Sequence, residues 1–170
     1  MLEKTPPMQD ERSAEKMNSL LYEPSPIGLL RLEADENGVC RIAPVEDRSE
    51  PERPCPLLEQ TAAQLQEYFA GARRCFDLPL SLHGTPFQLR VWRALCDIPY
   101  GETRSYSEIA QAVGAPNACR AVGMANHVNP VIIVVPCHRV IRADGSLGGY
   151  GIRYGDGPAV KKYLLGLESN

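Results

Sequence analysis

The 170-residue chain predicts an α+β fold: a small antiparallel sheet with one helix, followed by a mostly helical second half. Three observations carry that expectation. Apolar and polar residues alternate through positions 19–43 around two turn signals. A helical apolar spacing then takes over at Leu57. Two N-cap motifs, Thr85-Pro86-Phe87-Gln88 and Ser105-Tyr106-Ser107-Glu108, open helices in the second half.

Residues 1–18 are polar, hold two prolines and mixed charge, and show no apolar period, which predicts a poorly ordered leader. Leu20 to Leu30 reads as two short strands around a proline-containing turn. Leu30 to Ala34 alternates, Asp35-Glu36-Asn37-Gly38 is a hairpin signal, and Val39 to Ala43 returns as a strand. Asp47 to Pro56 is charged and proline-rich, hence a loop. Leu57 to Ala70 carries apolar residues at 58, 62, 65, 68 and 69, and Gly71 closes this helix. Phe76, Leu78, Leu80 and Leu82 recur at period two, with Pro79 restricting the run to an edge strand. A first lobe is therefore expected over 19–84 and a second over 85–170.

In the second lobe a helix is predicted from Pro86 to Cys96, with Phe87, Val91, Trp92 and Leu95 inward, followed by a turn at Ile98 to Glu102. Another starts at Ser105 and ends at Gly114; a third follows Pro116-Asn117 and holds Ala118 to Met124. Two short helices joined by a four-residue Gly- and Pro-containing turn are a helix-turn-helix signature, and equally a common way to pack a helical core. The later helix is low: Ala118, Ala121, Gly123 and Ala125 are small, and Arg120 is the only lysine or arginine between Gly114 and Asn129. Such a surface suits a narrow groove, with Arg120 free to fill the place of an extruded base. The same residues also fit a packing helix with one solvated arginine.

The stretch Asn129-Pro130-Val131-Ile132-Ile133-Val134-Val135-Pro136-Cys137-His138-Arg139-Val140 carries the chemistry. A β-branched run predicts a buried strand that ends at a proline stop with a thiol beside an imidazole and a guanidinium, groups able to lower a thiol's pKa. Side chains of adjacent residues diverge, so His138 is expected to act on Cys137 through a water. That divergence, and the lack of an oxyanion-hole motif, disfavour a cysteine hydrolase.

Charge and cysteine usage bound the function. The net charge is −3, split as −6 over 1–84 and +3 over 85–170, which leaves room for a nucleic-acid footprint on the second lobe. No stretch approaches the roughly 18 apolar residues of a membrane span, and the N-terminus lacks a signal peptide's apolar core. Six cysteines with no CxxC pair favour reduced thiols in a cytosol-like compartment.

Together, Ser105-Tyr106, Arg120-Ala121-Val122-Gly123, Asn129-Pro130, Pro136-Cys137-His138-Arg139-Val140 and Gly148-Gly149-Tyr150 closely resemble the O6-alkylguanine-DNA alkyltransferases. The likeness runs from about Thr85 to Glu168 and is weaker at Ser25-Pro26-Ile27-Gly28. It implies a ribonuclease H-like first lobe and a winged-helix-like helix-turn-helix second lobe, acting as a cytoplasmic monomer on double-stranded DNA, at the nucleoid of a prokaryote or in a eukaryotic nucleus. The implied activity is methylated-DNA–protein-cysteine methyltransferase: single-turnover transfer of an alkyl group from O6-alkylguanine, with O4-alkylthymine a second candidate lesion. Cys137 is then the acceptor, His138 its base, Glu168 the residue orienting His138, and Asn129 the tie of the active-site turn. Tyr106 helps rotate the nucleotide and donates to the purine, and Arg120 is the finger in the stack. DNA contacts extend to Ser105, Ala121 and Gly123. Substrate contacts fall to the carbonyls of Cys137 and Val140, to Arg139 and Tyr150, and to the backbone of Gly151, where some relatives have serine.

No cofactor is implied. Some relatives hold zinc in the first lobe, but Cys40, Cys55, Cys75 and His83 lack matching spacing, so no metal is expected. Against the most compact relatives, residues 152–157 read as an insertion that would alter pocket access, and His127, able to contact phosphate, is read rather as a solvated histidine. A binding-only module that flags lesions is the alternative, and Cys137 argues against it.

Overall fold

The computed structural model describes residues 17–152 and 155–170. The expected leader thus falls mostly outside the described residues, as do Arg153 and Tyr154 of the 152–157 insertion. Asn18 is described, and its carbonyl accepts from Arg53 Nε at 3.1 Å.

Strands β1 (Ser19–Ser25), β2 (Gly28–Ala34) and β3 (Val39–Val45) form an antiparallel sheet in that order. Their alternation buries Leu20 and Tyr22, then Leu30, Leu32 and Ala34, then Val39 and Ile42. The β2–β3 turn closes because Asp35 Oδ1 accepts from the backbone N–H groups of Asn37 and Gly38, at 2.8 and 3.1 Å. Helix α1 (Pro56–Phe69) covers the sheet with Leu58, Ala62, Leu65 and Tyr68, the predicted spacing.

Residues 72–84 do not form the predicted edge strand. A single bridge joins Leu80 to Val39. Pro79 has no N–H to extend a ladder, and Gln64 takes the neighbouring backbone instead: Nε2 donates to Asp77 O at 3.1 Å, and Oε1 accepts from Asp77 N at 2.9 Å.

Helices α2 (Pro86–Cys96) and α3 (Tyr106–Ala112) both begin with reciprocal capping boxes, Thr85 with Gln88 and Ser105 with Glu108. Helix α4 (Cys119–His127) follows a connection of residues 113–118, two longer than the predicted turn because Val113 ends α3 and Ala118 caps α4 rather than joining it. A parallel pair, β4 (Arg104–Ser105) with β5 (Val140–Ile141), holds the start of α3 beside the chain leaving Cys137. Helix α5 (Gly157–Glu168) is capped by Asp156, which accepts from Ala159 N at 3.1 Å. Among the described residues no helix is long and apolar enough to cross a membrane.

The apolar run 131–135 corrects the expectation of a strand. Val131 bridges to Ile42, with Ile42 N donating to Pro130 O at 2.9 Å and Ile132 N to Ile42 O at 3.2 Å, so the run adds to the free edge of β3. It then reverses at once. Val134 N donates to Ile132 O at 2.9 Å around Ile133, whose φ is +73°. A β-branched residue is strained there, and the core holds it: the Ile133 side chain is fully buried. Residues Cys137–Arg139 form a single 3₁₀ turn rather than an extended segment.

Candidate active site

The sulfur of Cys137 sits at the end of this double turn, 3 % exposed, on the wall of a cavity of about 450 Å³. Asn129 builds the turn from inside. Its Nδ2 donates to Val135 O at 2.8 Å and to Cys137 Sγ at 3.1 Å, while its Oδ1 accepts from Val131 N at 3.0 Å. Tyr106 and Tyr150 line the cavity with Cys137, and Arg120, Gly123 and Asn126 bring α4 to its wall. Gly148, at φ +69°, lets the loop lie against Tyr106; a Cβ there would sit 2.9 Å from the Tyr106 hydroxyl.

A charge relay lies behind the thiol. His138 is fully buried, and its Nε2 is 2.7 Å from Glu168 Oε1. The same carboxylate accepts from Arg139 Nε at 2.8 Å, Arg139 Nη2 at 3.0 Å and the Tyr68 hydroxyl at 2.7 Å. Burial opposes ionisation of Glu168, but donation by His138, Arg139 and Tyr68 outweighs it and sets the carboxyl at about 2. Burial lowers the pKa of His138, so the imidazole is neutral at pH 7. Its Nε2 then carries the hydrogen toward Glu168, and Nδ1, with no hydrogen-bond partner among the described residues, is the free base.

The neighbouring imidazole and guanidinium do not bring the Cys137 pKa down. Burial pushes the Cys137 pKa up, and the Asn129 amide and the Lys161 charge only partly oppose this. At neutral pH the buried thiol therefore rests protonated. Lys161, fully buried on α5, donates to Val140 O at 2.6 Å and Gly149 O at 3.1 Å; burial brings it down to about 8.

Two family models match this chain: 6-O-methylguanine DNA methyltransferase, ribonuclease-like domain, over residues 20–82, and the DNA binding domain of the same description over 86–170. The chain belongs to the 6-O-methylguanine DNA methyltransferase family. Curated relatives named methylated-DNA–protein-cysteine methyltransferase include those of Mycobacterium tuberculosis, 50% identical over 86% of this chain and 89% of its own length, and Methanosarcina barkeri, 46% identical over 86% and 94%. The crystal structure of the Mycobacterium tuberculosis O6-methylguanine methyltransferase superposes with a TM-score of 0.79 at 47% identity, covering 90% of this chain and 93% of that one. A complex of the same organism's OGT with DNA gives 0.75 at 49%, covering 87% and 91%.

Within this family's fold, the residues singled out in the sequence divide into three groups. Asn129 bonds Cys137 and Glu168 bonds His138, the next residue in the chain, while Tyr106, Arg120, Gly123, Tyr150 and Gly151 line the cavity together with Cys137. Ala121 is exposed on the outer side of α4, and the Ser105 hydroxyl caps α3 by accepting from Glu108 N, away from the thiol. Arg139 and Val140 lie behind the cavity: all three terminal nitrogens of Arg139 are engaged by Glu168 and Ile98 O, and the carbonyl of Val140 accepts from Lys161. His127, read as solvated, is exposed but borders the cavity, pressed against Gly151: a Cβ on residue 151 would lie 2.5 Å from His127 O.

Lys161 and Tyr68 were not singled out. Lys161 had a signal: Gly157, Lys161, Leu164 and Glu168 share the buried face of α5, so two charged residues stand where that helix packs inward. Among the described residues no three His, Cys, Asp or Glu side chains gather to hold a metal.

Proposed function

We propose that this protein repairs alkylated double-stranded DNA by taking the alkyl group from guanine O6 onto Cys137, once per molecule, after the damaged nucleotide has left the helix stack. Methyl transfer from DNA to a protein cysteine is the activity of the chain, in line with its family and with relatives of that name over most of its length. The observation that carries the finer reading is the placement of Cys137: its sulfur is 3 % exposed at the wall of a cavity, with a neutral imidazole and an ionised carboxylate behind it. A base still stacked in a duplex cannot reach a thiol so enclosed, so the nucleotide must be extruded. Arg120, exposed at the cavity mouth, is the side chain that fills the gap.

His138 Nδ1 takes the thiol proton through a bridging water, and Glu168 stabilises the imidazolium that forms. The sulfur then attacks the alkyl carbon in line with O6; the S–C bond forms, the C–O6 bond breaks and its electron pair stays on the purine. Donation from the Tyr106 hydroxyl steadies that charge until the purine regains a proton, so the thiol hydrogen ends on guanine. The Cys137 thioether has no hydrolytic exit, which makes the reaction single-turnover. One protomer carries every group in this sequence and acts as a monomer, where the cell keeps its DNA. O4-alkylthymine is a second lesion of the same chemistry.

The test is intact-protein and peptide mass analysis after incubation with duplex containing O6-methylguanine. One methyl on the Cys137 peptide, reached as a stoichiometric burst, is expected, and Cys137→Ala should bind the lesion without transfer. An unmodified Cys137 after prolonged incubation of folded protein overturns the proposal.

A further inference from the structure

Asn126 occupies an apolar position of α4 and lines the active-site cavity, 8 % exposed. Neither Nδ2 nor Oδ1 has a hydrogen-bond partner among the described residues. Its backbone, in contrast, is fixed on both sides: the Trp92 indole donates to Ala125 O at 2.9 Å, and Asn129 N donates to Asn126 O at 3.2 Å. Asparagine is a poor helix former, and a buried amide with both ends unpaired opposes folding, so the fold itself gains nothing from this side chain.

We infer that Asn126 is a specificity-determining residue, whose carboxamide reads the lesion by pairing with a ring-nitrogen acceptor and the exocyclic amine beside it. The inference rests on the reading that an alkylated base enters this cavity. Alkylation at O6 removes the N1 proton of guanine, so N1 becomes an acceptor next to the 2-amine, and N3 is an acceptor on the amine's other side. Either edge matches the Nδ2 donor and Oδ1 acceptor of one amide, the bidentate logic by which asparagine reads adenine. O4-alkylthymine presents N3 and O2, two acceptors and no donor, and leaves Oδ1 without a match. Asn126 therefore favours purine lesions that bear a 2-amine.

The experiment compares rate constants for methyl transfer to Cys137 from duplexes carrying O6-methylguanine or O6-methylhypoxanthine, the same lesion without the amine. Wild-type protein, Asn126→Leu and Asn126→Ala are measured together, each with its thermal midpoint. The preference of wild type for the amine-bearing lesion is expected to fall about tenfold in both variants, the size of one neutral hydrogen bond. Asn126→Leu should melt no lower than wild type, since no group in the folded protein loses a partner. An unchanged preference in the variants, or a drop of several degrees in Asn126→Leu, overturns the inference. Wild-type protein that leaves Cys137 unmethylated overturns instead the function on which it rests.

Discussion

His138 Nε2 and Glu168 Oε1 lie 2.7 Å apart although thirty residues separate them in the chain. The contact fixes one tautomer, because an ionised Glu168 accepts and so Nε2 must donate, which leaves Nδ1 unprotonated, the nitrogen proposed as the base. It also ties His138 to the last turn of the last helix, α5. Glu168 is thus at once the partner of the proposed base, His138, and the counter-ion of the buried Arg139.

Glu168→Gln separates these roles. The amide oxygen can still accept from His138, but an NH2 group now faces the Arg139 guanidinium and the negative charge is gone. We expect a loss of about 3 kcal/mol in unfolding free energy, since one partner of a buried ion pair has been removed. Methyl transfer to Cys137 should slow about 100-fold because the charge that would stabilise the His138 imidazolium is gone. Denaturant unfolding and single-turnover kinetics measure the two effects, and transfer at the wild-type rate would remove Glu168 from the relay.

Acid stability follows from the same carboxyl. Its folded value of about 2 lies below the ordinary 4.5, so the folded state holds the deprotonated form more tightly than the unfolded chain does. The stability this supplies, about 3 kcal/mol, is fully present above pH 4.5 and is lost as pH falls from 4.5 toward 2. Unfolding titrations from pH 6 to pH 2 should show this slope in wild type and a shallower one in Glu168→Gln. Equal slopes would place the acid sensitivity elsewhere.

Tyr68→Phe tests the part of the site that comes from the N-terminal sheet layer. The hydroxyl donates to Glu168 at 2.7 Å from α1, one hundred residues away in sequence, and its removal leaves the ring packing intact. A loss of about 1 kcal/mol is expected, with less than a tenfold effect on transfer, because His138 and Arg139 still hold the carboxylate. A much larger loss of rate would mean that Tyr68 sets the His138 tautomer.

These contacts mark what the chain shows in sequence and what it hides. Capping boxes at Thr85 and Ser105 are local chemistry, and they placed α2 and α3 at the predicted starts. Cys137, His138 and Asn129 sit in one short segment and were legible together. The turn at Ile133 was not, since five β-branched residues favour a strand, and only tertiary burial plus the Asn129 side chain overrides that preference. The Tyr68 contact depends on how α1 meets α5, which no local pattern encodes. Residues 72–84 kept a strand's alternation but lost its ladder to Pro79 and Gln64.

Arg120→Ala addresses the proposed finger. Arg120 is an exposed side chain at the cavity and is not among the hydrogen-bond partners of Glu168, so its loss should leave folding unchanged within about 0.5 kcal/mol. Repair of O6-alkylguanine in duplex DNA should fall more than reaction with free O6-benzylguanine, because only the duplex has a gap to fill. Equal losses on both substrates would argue that Arg120 acts inside the cavity and not in the stack.

Lys161 yields a prediction in which rate and stability move apart with pH. Burial brings its value from 10.5 to about 8, so the folded protein sheds this proton before the unfolded chain does. A charged Lys161 therefore opposes folding below pH 8, and stability should rise by about 3 kcal/mol as pH goes from 8 to 10.5. Lys161→Met should lack that rise. At pH 7 the positive charge of Lys161 favours the thiolate formed during transfer, so the variant should react about tenfold more slowly there. Above pH 8 wild type loses the same charge, and the rate ratio of wild type to Lys161→Met should fall toward one. Single-turnover rates between pH 7 and 9.5 give that ratio; a constant value would show that Lys161 acts only by holding the carbonyls of Val140 and Gly149 in place.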